Sequence, residues 1–180
     1  FSIDGINLEN KNLILATVHR RENWGENLKN IALGLRNIIE KDNSTILLIP
    51  LHKNPRVREP LQKILKGNKR IILTEPLDYD ELISVLKECK FVITDSGGLQ
   101  EESPAFGKPV LVIRNSTERM EAIEAGCTKL IGIDKNNIYR ESMELLNKPE
   151  KYSKMSKIRN PFGQGDSSEK IFNHTIKFLN

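Results

Sequence analysis

The stretch Phe91-Val92-Ile93-Thr94-Asp95-Ser96-Gly97-Gly98-Leu99-Gln100-Glu101-Glu102 decides how this chain is read. Its first four residues form an uninterrupted apolar run, the pattern of a buried strand. Ser-Gly-Gly follows, and then a segment able to turn helical. The two glycines let another group approach the backbone closely. The unpaired N–H groups of a first helical turn, together with the helix dipole, favour a negative charge at that place. Glu102 stands about one helical turn further on, where its carboxylate can accept from hydroxyls. A strand, a glycine turn and a helix start in this order suit a bound diphosphate.

Outward from that stretch, short apolar runs alternate with helical patterns. Residues 13–18 predict a first strand, and Leu28, Ile31, Leu35, Ile38 and Ile39 place one stripe on a helix over 24–42. Further strands are predicted over 45–49, 70–74, 91–94, 110–113 and 130–133. Between them lie a helix over 55–66 opened by proline, and one capped by Asp78 that carries Leu82, Ile83, Val85 and Leu86. A short helix over 98–106, bent at Pro104, and another over 117–125, closed by Gly126, come next. Helices over 136–146, 150–157 and 167–179 complete the chain. The strands are continuous apolar runs instead of alternating ones, which predicts an α/β fold: a doubly wound, Rossmann-like parallel sheet with helices on both faces. The expected strand order, 3-2-1-4-5-6, brings the loops after the first and fourth strands side by side at the switch point. Those loops hold His19-Arg20-Arg21-Glu22-Asn23 and Asp95-Ser96-Gly97-Gly98.

With 180 residues, the chain has the length of one ordinary domain. A 38% hydrophobic and 29% charged composition, with 24 acidic residues interspersed among 28 basic ones, describes a soluble protein of formal charge +4. No long block of Lys or Arg marks a nucleic-acid partner, and no apolar run approaches the ~20 residues of a membrane span. Cys89 and Cys127 have neither metal nor redox spacing and read as small buried hydrophobes in a reducing cytoplasm. The chain begins with Phe1 and reads as a piece of a longer polypeptide. Ile171, Phe172, Ile176 and Leu179 form an apolar stripe on the last helix, expected to pack on the core, with docking on a partner domain as the alternative.

Three rims of the predicted sheet carry chemistry. His19, Arg20 and Arg21 close the first strand and suit an anion: arginine offers a bidentate fork, and histidine exchanges a proton near neutral pH. His52 closes the second strand, to touch a ligand or to stabilise a turn with Asn54. Arg114 and Arg119 close the fifth, with Thr117 as a candidate helix cap. Glu101 and Glu102 are adjacent and do not share a helix face, so they are not an acid/base pair.

Taken together, these pieces resemble the C-terminal half of the non-hydrolysing UDP-N-acetylglucosamine 2-epimerases. The resemblance rests on His-Arg-Arg-Glu-Asn at 19–23 with Gly25, His-x-Asn-Pro at 52–55, Glu75-Pro76-Leu77-Asp78-Tyr79 and Asp95-Ser96-Gly97-Gly98-x-Gln100-Glu101-Glu102. It continues through Gly107-Lys108-Pro109, Arg114 with Thr117-Glu118-Arg119, and Asn160-Pro161-Phe162-Gly163. Lys53, Met120, Phe162 and Gln164 depart from the family's usual residues. The resemblance implies one half of a GT-B-type two-domain architecture, with residues 160–180 packing on the other half. It implies interconversion of UDP-GlcNAc and UDP-ManNAc by elimination and re-addition of UDP, with no metal or nicotinamide cofactor, in a protein that dimerises at full length. By this resemblance Ser96, Gly97 and Gly98 bind the diphosphate, Glu102 the ribose, Arg119 the phosphate region, and Leu77 and Leu82 the uracil side. His19 assists the departing UDP, while Arg20, Glu22 and His52 match an activator site. The carboxylates that move the C2 proton are expected in the other half. A UDP-sugar glycosyltransferase domain of GT-B type, a hydrolysing epimerase and a non-catalytic UDP-sugar sensor are the alternatives.

Overall fold

The computed structural model describes residues 2–3, 6–7 and 11–179. A short antiparallel pair, β1 (Ser2–Ile3) and β2 (Ile6–Asn7), stands apart from the main sheet. The main sheet is parallel and is built from β3 (Asn12–Thr17), β4 (Thr45–Pro50), β5 (Ile71–Thr74), β6 (Phe91–Thr94), β7 (Val110–Val112) and β8 (Thr128–Leu130). Its order is β5-β4-β3-β6-β7-β8, which in the numbering of the main sheet alone is the expected 3-2-1-4-5-6.

Alternate residues of the central strand serve opposite faces, as a pleated strand requires. Ile14 and Ala16 of β3 point into one apolar cluster, and Leu13 and Leu15 into the other. The first cluster lies under α1 (Glu26–Lys41), α2 (Pro55–Leu65) and α6 (Lys135–Asn147). The second lies under α3 (Tyr79–Glu88) and α4 (Gly97–Glu102), the latter continued by a 3₁₀ turn over Ser103–Phe106. Both faces of the sheet are therefore covered, which explains why its strands read as continuous apolar runs.

Local chemistry sets the helix starts. Asn54 caps α2 by accepting from the Arg56 N–H, with Pro55 at the first position. Asp78 and Glu81 form a reciprocal capping box at α3. Asp134 accepts from the N–H groups of Asn136 and Asn137 at α6. Gly34 lets α1 and α6 meet closely: a Cβ there would lie 3.0 Å from Ile138 Cβ and 3.1 Å from the Lys135 carbonyl oxygen.

Two expected elements shift. The last strand runs over Thr128–Leu130 and not 130–133, because β7 offers only three residues to pair with and Gly132 then turns the chain at φ 68°. The helix expected over 117–125 begins only at Met120 and forms α5 (Met120–Ala125). Thr117 does not cap it; its hydroxyl donates to Gln100 Oε1 at 2.6 Å and accepts from the Arg119 N–H at 3.2 Å. The bend expected at Pro104 is the change from α4 to the 3₁₀ turn.

After α7 (Pro149–Ser156) and a loop, α8 (Ser167–Leu179) closes the chain. The expectation that its stripe packs on the core is overturned: no residue of α8 is buried, with Phe172 63% and Phe178 89% exposed. Cys89 and Cys127 are buried, as expected, and burial pushes the Cys89 thiol up to about 12.

Candidate functional site

The sheet's C-terminal crest gathers the residues at issue. Strands β3 and β6 are neighbours, but the chain leaves them toward opposite faces, opening a crevice between their loops. Asp95, the first residue after β6, fixes that crevice. Its carboxylate is fully buried and accepts from the His19 N–H (3.0 and 3.1 Å to its two oxygens), the Arg20 N–H (2.8 Å) and Asn23 Nδ2 (2.9 Å). Asn23, itself buried, also donates to the Ile113 carbonyl and so ties the end of β7 to the same loop. One carboxylate thereby seats the whole segment 19–23 against the residue that precedes Ser96-Gly97-Gly98.

The His19 side chain is 37% exposed and its Nδ1 lies 3.2 Å from Asp95 Oδ1. Its ring stacks on that of His52, with centroids 6.0 Å apart and planes inclined by 11°. His52 also accepts, through Nδ1, from the Asn54 N–H at 3.1 Å, so it makes the turn contact and faces the crevice together. Leu77 and Leu82 join His19, His52 and Ser96 around a cavity of ≈ 240 Å³ with a mainly apolar wall.

On the other side of the glycine turn, three arginines and three glutamates interlock. Arg114, buried, binds Glu22 at 2.7 Å and Glu118 at 2.9 Å. Burial disfavours the Arg114 charge, but the hydrogen bonds it donates to Glu22 and Glu118 more than offset this and hold its pKa above the ordinary value. Glu118 also takes Arg119 at 2.8 Å and lies 3.6 Å from Arg20. Its own pKa is lowered by a backbone hydrogen bond and by the bond from Arg114. Arg119 is further held through Nε by Glu101 at 2.7 Å. The third Arg119 nitrogen, Nη2, reaches to 3.3 Å from where a Gly97 side chain would begin, and Arg20 Nη2 to 3.4 Å from it. Two guanidinium groups thus converge over Gly97 at the start of α4.

Glu102 ends α4, with an oxygen 3.7 Å from the Cβ position of Gly98. Burial, and then the charge of Glu101, push its pKa above the ordinary carboxylate value. It borders a wider cavity of ≈ 750 Å³ shared with Asn160, Phe162 and Gly163. Every candidate named from the sequence thus stands on one crest, with Arg20 next to Gly97 and Glu22 engaged by Arg114. What sequence reasoning missed is the scaffold beneath: Asp95, Asn23 and Gln100. Their signal was membership of the motifs at 19–23 and 95–102, which assigned them no structural role. Among the described residues, no group of three His, Cys, Asp or Glu could hold a metal ion, and no helix is long and apolar enough to cross a membrane.

A doubly wound parallel sheet with this crest defines an α/β domain of the Rossmann-like class. The chain belongs to the UDP-N-acetylglucosamine 2-epimerase family, whose model matches residues 2–176. It is 46% identical over 172 residues to the UDP-N-acetylglucosamine 2-epimerase of Campylobacter jejuni, covering 96% of this chain and 45% of that protein. The S. aureus MnaA–UDP co-structure superposes with a TM-score of 0.92 at 47% identity, covering 96% of this chain and 47% of the other. The Neisseria meningitidis UDP-GlcNAc 2-epimerase bound to UDP-GlcNAc gives 0.91 at 43%, covering 94% and 46%. This chain spans about half the length of the relatives it matches.

Proposed function

We propose that this chain is the UDP-binding half of an enzyme that interconverts UDP-GlcNAc and UDP-ManNAc, eliminating UDP and adding it back to the other face of the sugar. The single observation that carries this reading is the convergence of Arg119 and Arg20 over Gly97, where the N–H groups of α4 also point. In this reading the diphosphate sits on Ser96, Gly97 and Gly98 under the two guanidinium groups. Glu102 accepts from the ribose, and the wall carrying Leu77 and Leu82 faces the uracil. His19 meets the departing diphosphate. Arg20, Glu22 and His52 form the edge at which a second UDP-GlcNAc acts as activator.

Elimination also needs an acid/base pair at the sugar. Glu101 and Glu102 do not supply it: Glu101 is held by Arg119, and Glu102 is the carboxylate assigned to the ribose. The pair therefore belongs to a preceding half, on which α8 docks, and the complete protein forms a homodimer. The test is calorimetric titration of this chain with UDP, beside a Ser96→Arg variant, with epimerisation assayed in parallel. UDP binding lost in the variant and no turnover by the chain alone are expected. Binding that survives the arginine would remove the diphosphate from this turn, and turnover by the isolated chain would sink the two-half reading.

A further inference from the structure

Asp95 carries a consequence beyond holding a loop. It is a fully buried carboxylate, it precedes the glycine turn directly, and the proposed chemistry leaves it without a part. Its donors are all N–H groups that cannot act as acceptors: the His19 and Arg20 backbones and the Asn23 amide. Three of those four contacts fall on one oxygen or are shared with it, so Oδ1 keeps room for one more donor. The group placed there, at 3.2 Å, is His19 Nδ1.

We propose that Asp95 is the positioning residue of His19: it keeps a proton on Nδ1 and so makes Nε2 the nitrogen through which His19 exchanges a proton with its ligand. An acceptor-only carboxylate beside one ring nitrogen selects the tautomer that donates to it. The same carboxylate holds the His19 and Arg20 N–H groups and so fixes the backbone from which the ring projects. In the elimination proposed above, the proton on Nε2 passes to an oxygen of the departing diphosphate. The electron pair of the broken N–H bond stays on the ring, which is left neutral with Nδ1–H still facing Asp95. Addition of UDP runs the transfer backwards. This inference rests on that reading for the proton's destination, but not for the tautomer.

The experiment has two arms. In the first, the full chain labelled with ¹⁵N-histidine is examined by NMR above the titration of its rings. Neutral His19 is expected to carry its proton on Nδ1, and Asp95→Asn, whose amide can donate in turn, to move it to Nε2. The Nε2–H tautomer in the unsubstituted chain would overturn the proposal without need of any variant. The second arm measures turnover in the complete polypeptide. Asp95→Asn should lower kcat on the order of 10²-fold, the scale of a misdirected general acid, with the UDP Kd changed by less than about threefold. In a His19→Gln background the same substitution should have little further effect, because both changes remove one unit. Equal losses with and without His19 would show that Asp95 acts through the fold alone and overturn the proposal. Should the unsubstituted polypeptide lack epimerase activity, the functional reading fails, while the NMR arm still decides whether Asp95 sets the tautomer.

Discussion

Helices α1 and α8 carry the same kind of apolar stripe and end in opposite surroundings. In α1, Leu28, Ile31, Ala32, Leu35, Ile38 and Ile39 are buried beneath the sheet and between α2 and α6. In α8, Ile171, Phe172, Ile176, Phe178 and Leu179 face outward. Helical periodicity states that a face needs a partner; it does not state which surface supplies it. For α1 the partner lies within the domain, between two neighbouring helices and a parallel sheet. For α8 it does not.

The largest effect belongs to the satisfied helix. Leu35→Ala empties a fully buried position and should cost about 2–5 kcal/mol, read from chemical denaturation of the chain. A loss below about 0.5 kcal/mol would mean that α1 is not the keystone this packing makes it.

The crest gives the next effect, and one of a different kind. A methyl group on Gly97 would press on the tips of Arg119 and Arg20, flexible ends that can retreat. Gly97→Ala should therefore leave stability nearly unchanged and weaken UDP about tenfold, ~1.4 kcal/mol, by displacing both cations. A fall in stability that matches the fall in affinity would place the fault in the fold.

Glu102 gives a smaller effect that depends on pH. Its folded pKa is raised above the unfolded value, so its ionisation opposes folding. The stability it withholds is fully present below the unfolded pKa and is lost as pH rises through the folded one. Glu102→Gln should thus raise Tm slightly at neutral pH, have no effect at pH 3, and weaken UDP at neutral pH if this carboxylate accepts from the ribose. Thermal scans at the two pH values, with titrations at the upper one, check both signs.

The sheet was legible because burial on both faces leaves a mark that no surface element can imitate: runs such as Phe91–Thr94. The candidate residues were legible because strand ends and glycine turns are signalled locally. The scaffold beneath them was not. Asp95 touches a segment more than seventy residues away, and no short-range pattern encodes that contact. The Gln100–Thr117 bond likewise joins two segments that no local pattern pairs. The fate of α8 was the least legible, because an apolar stripe does not say whether its own domain covers it, and among the described residues none of α8 is buried.

That makes the last prediction one of no effect. Phe172→Ser in this chain removes an aromatic ring that is 63% exposed, from a helix with no buried residue. It should change stability by less than about 0.5 kcal/mol, as surface substitutions do. The same substitution in a polypeptide carrying both halves should destabilise it measurably, because there the ring has a surface to leave. If the isolated chain loses stability as well, α8 already packs on this domain, the contrast with α1 collapses, and the stripe reports the core it was first expected to join. If neither protein responds, the stripe serves neither half. Only a response confined to the longer polypeptide makes α8 the strap between halves, and the two measurements together separate these cases.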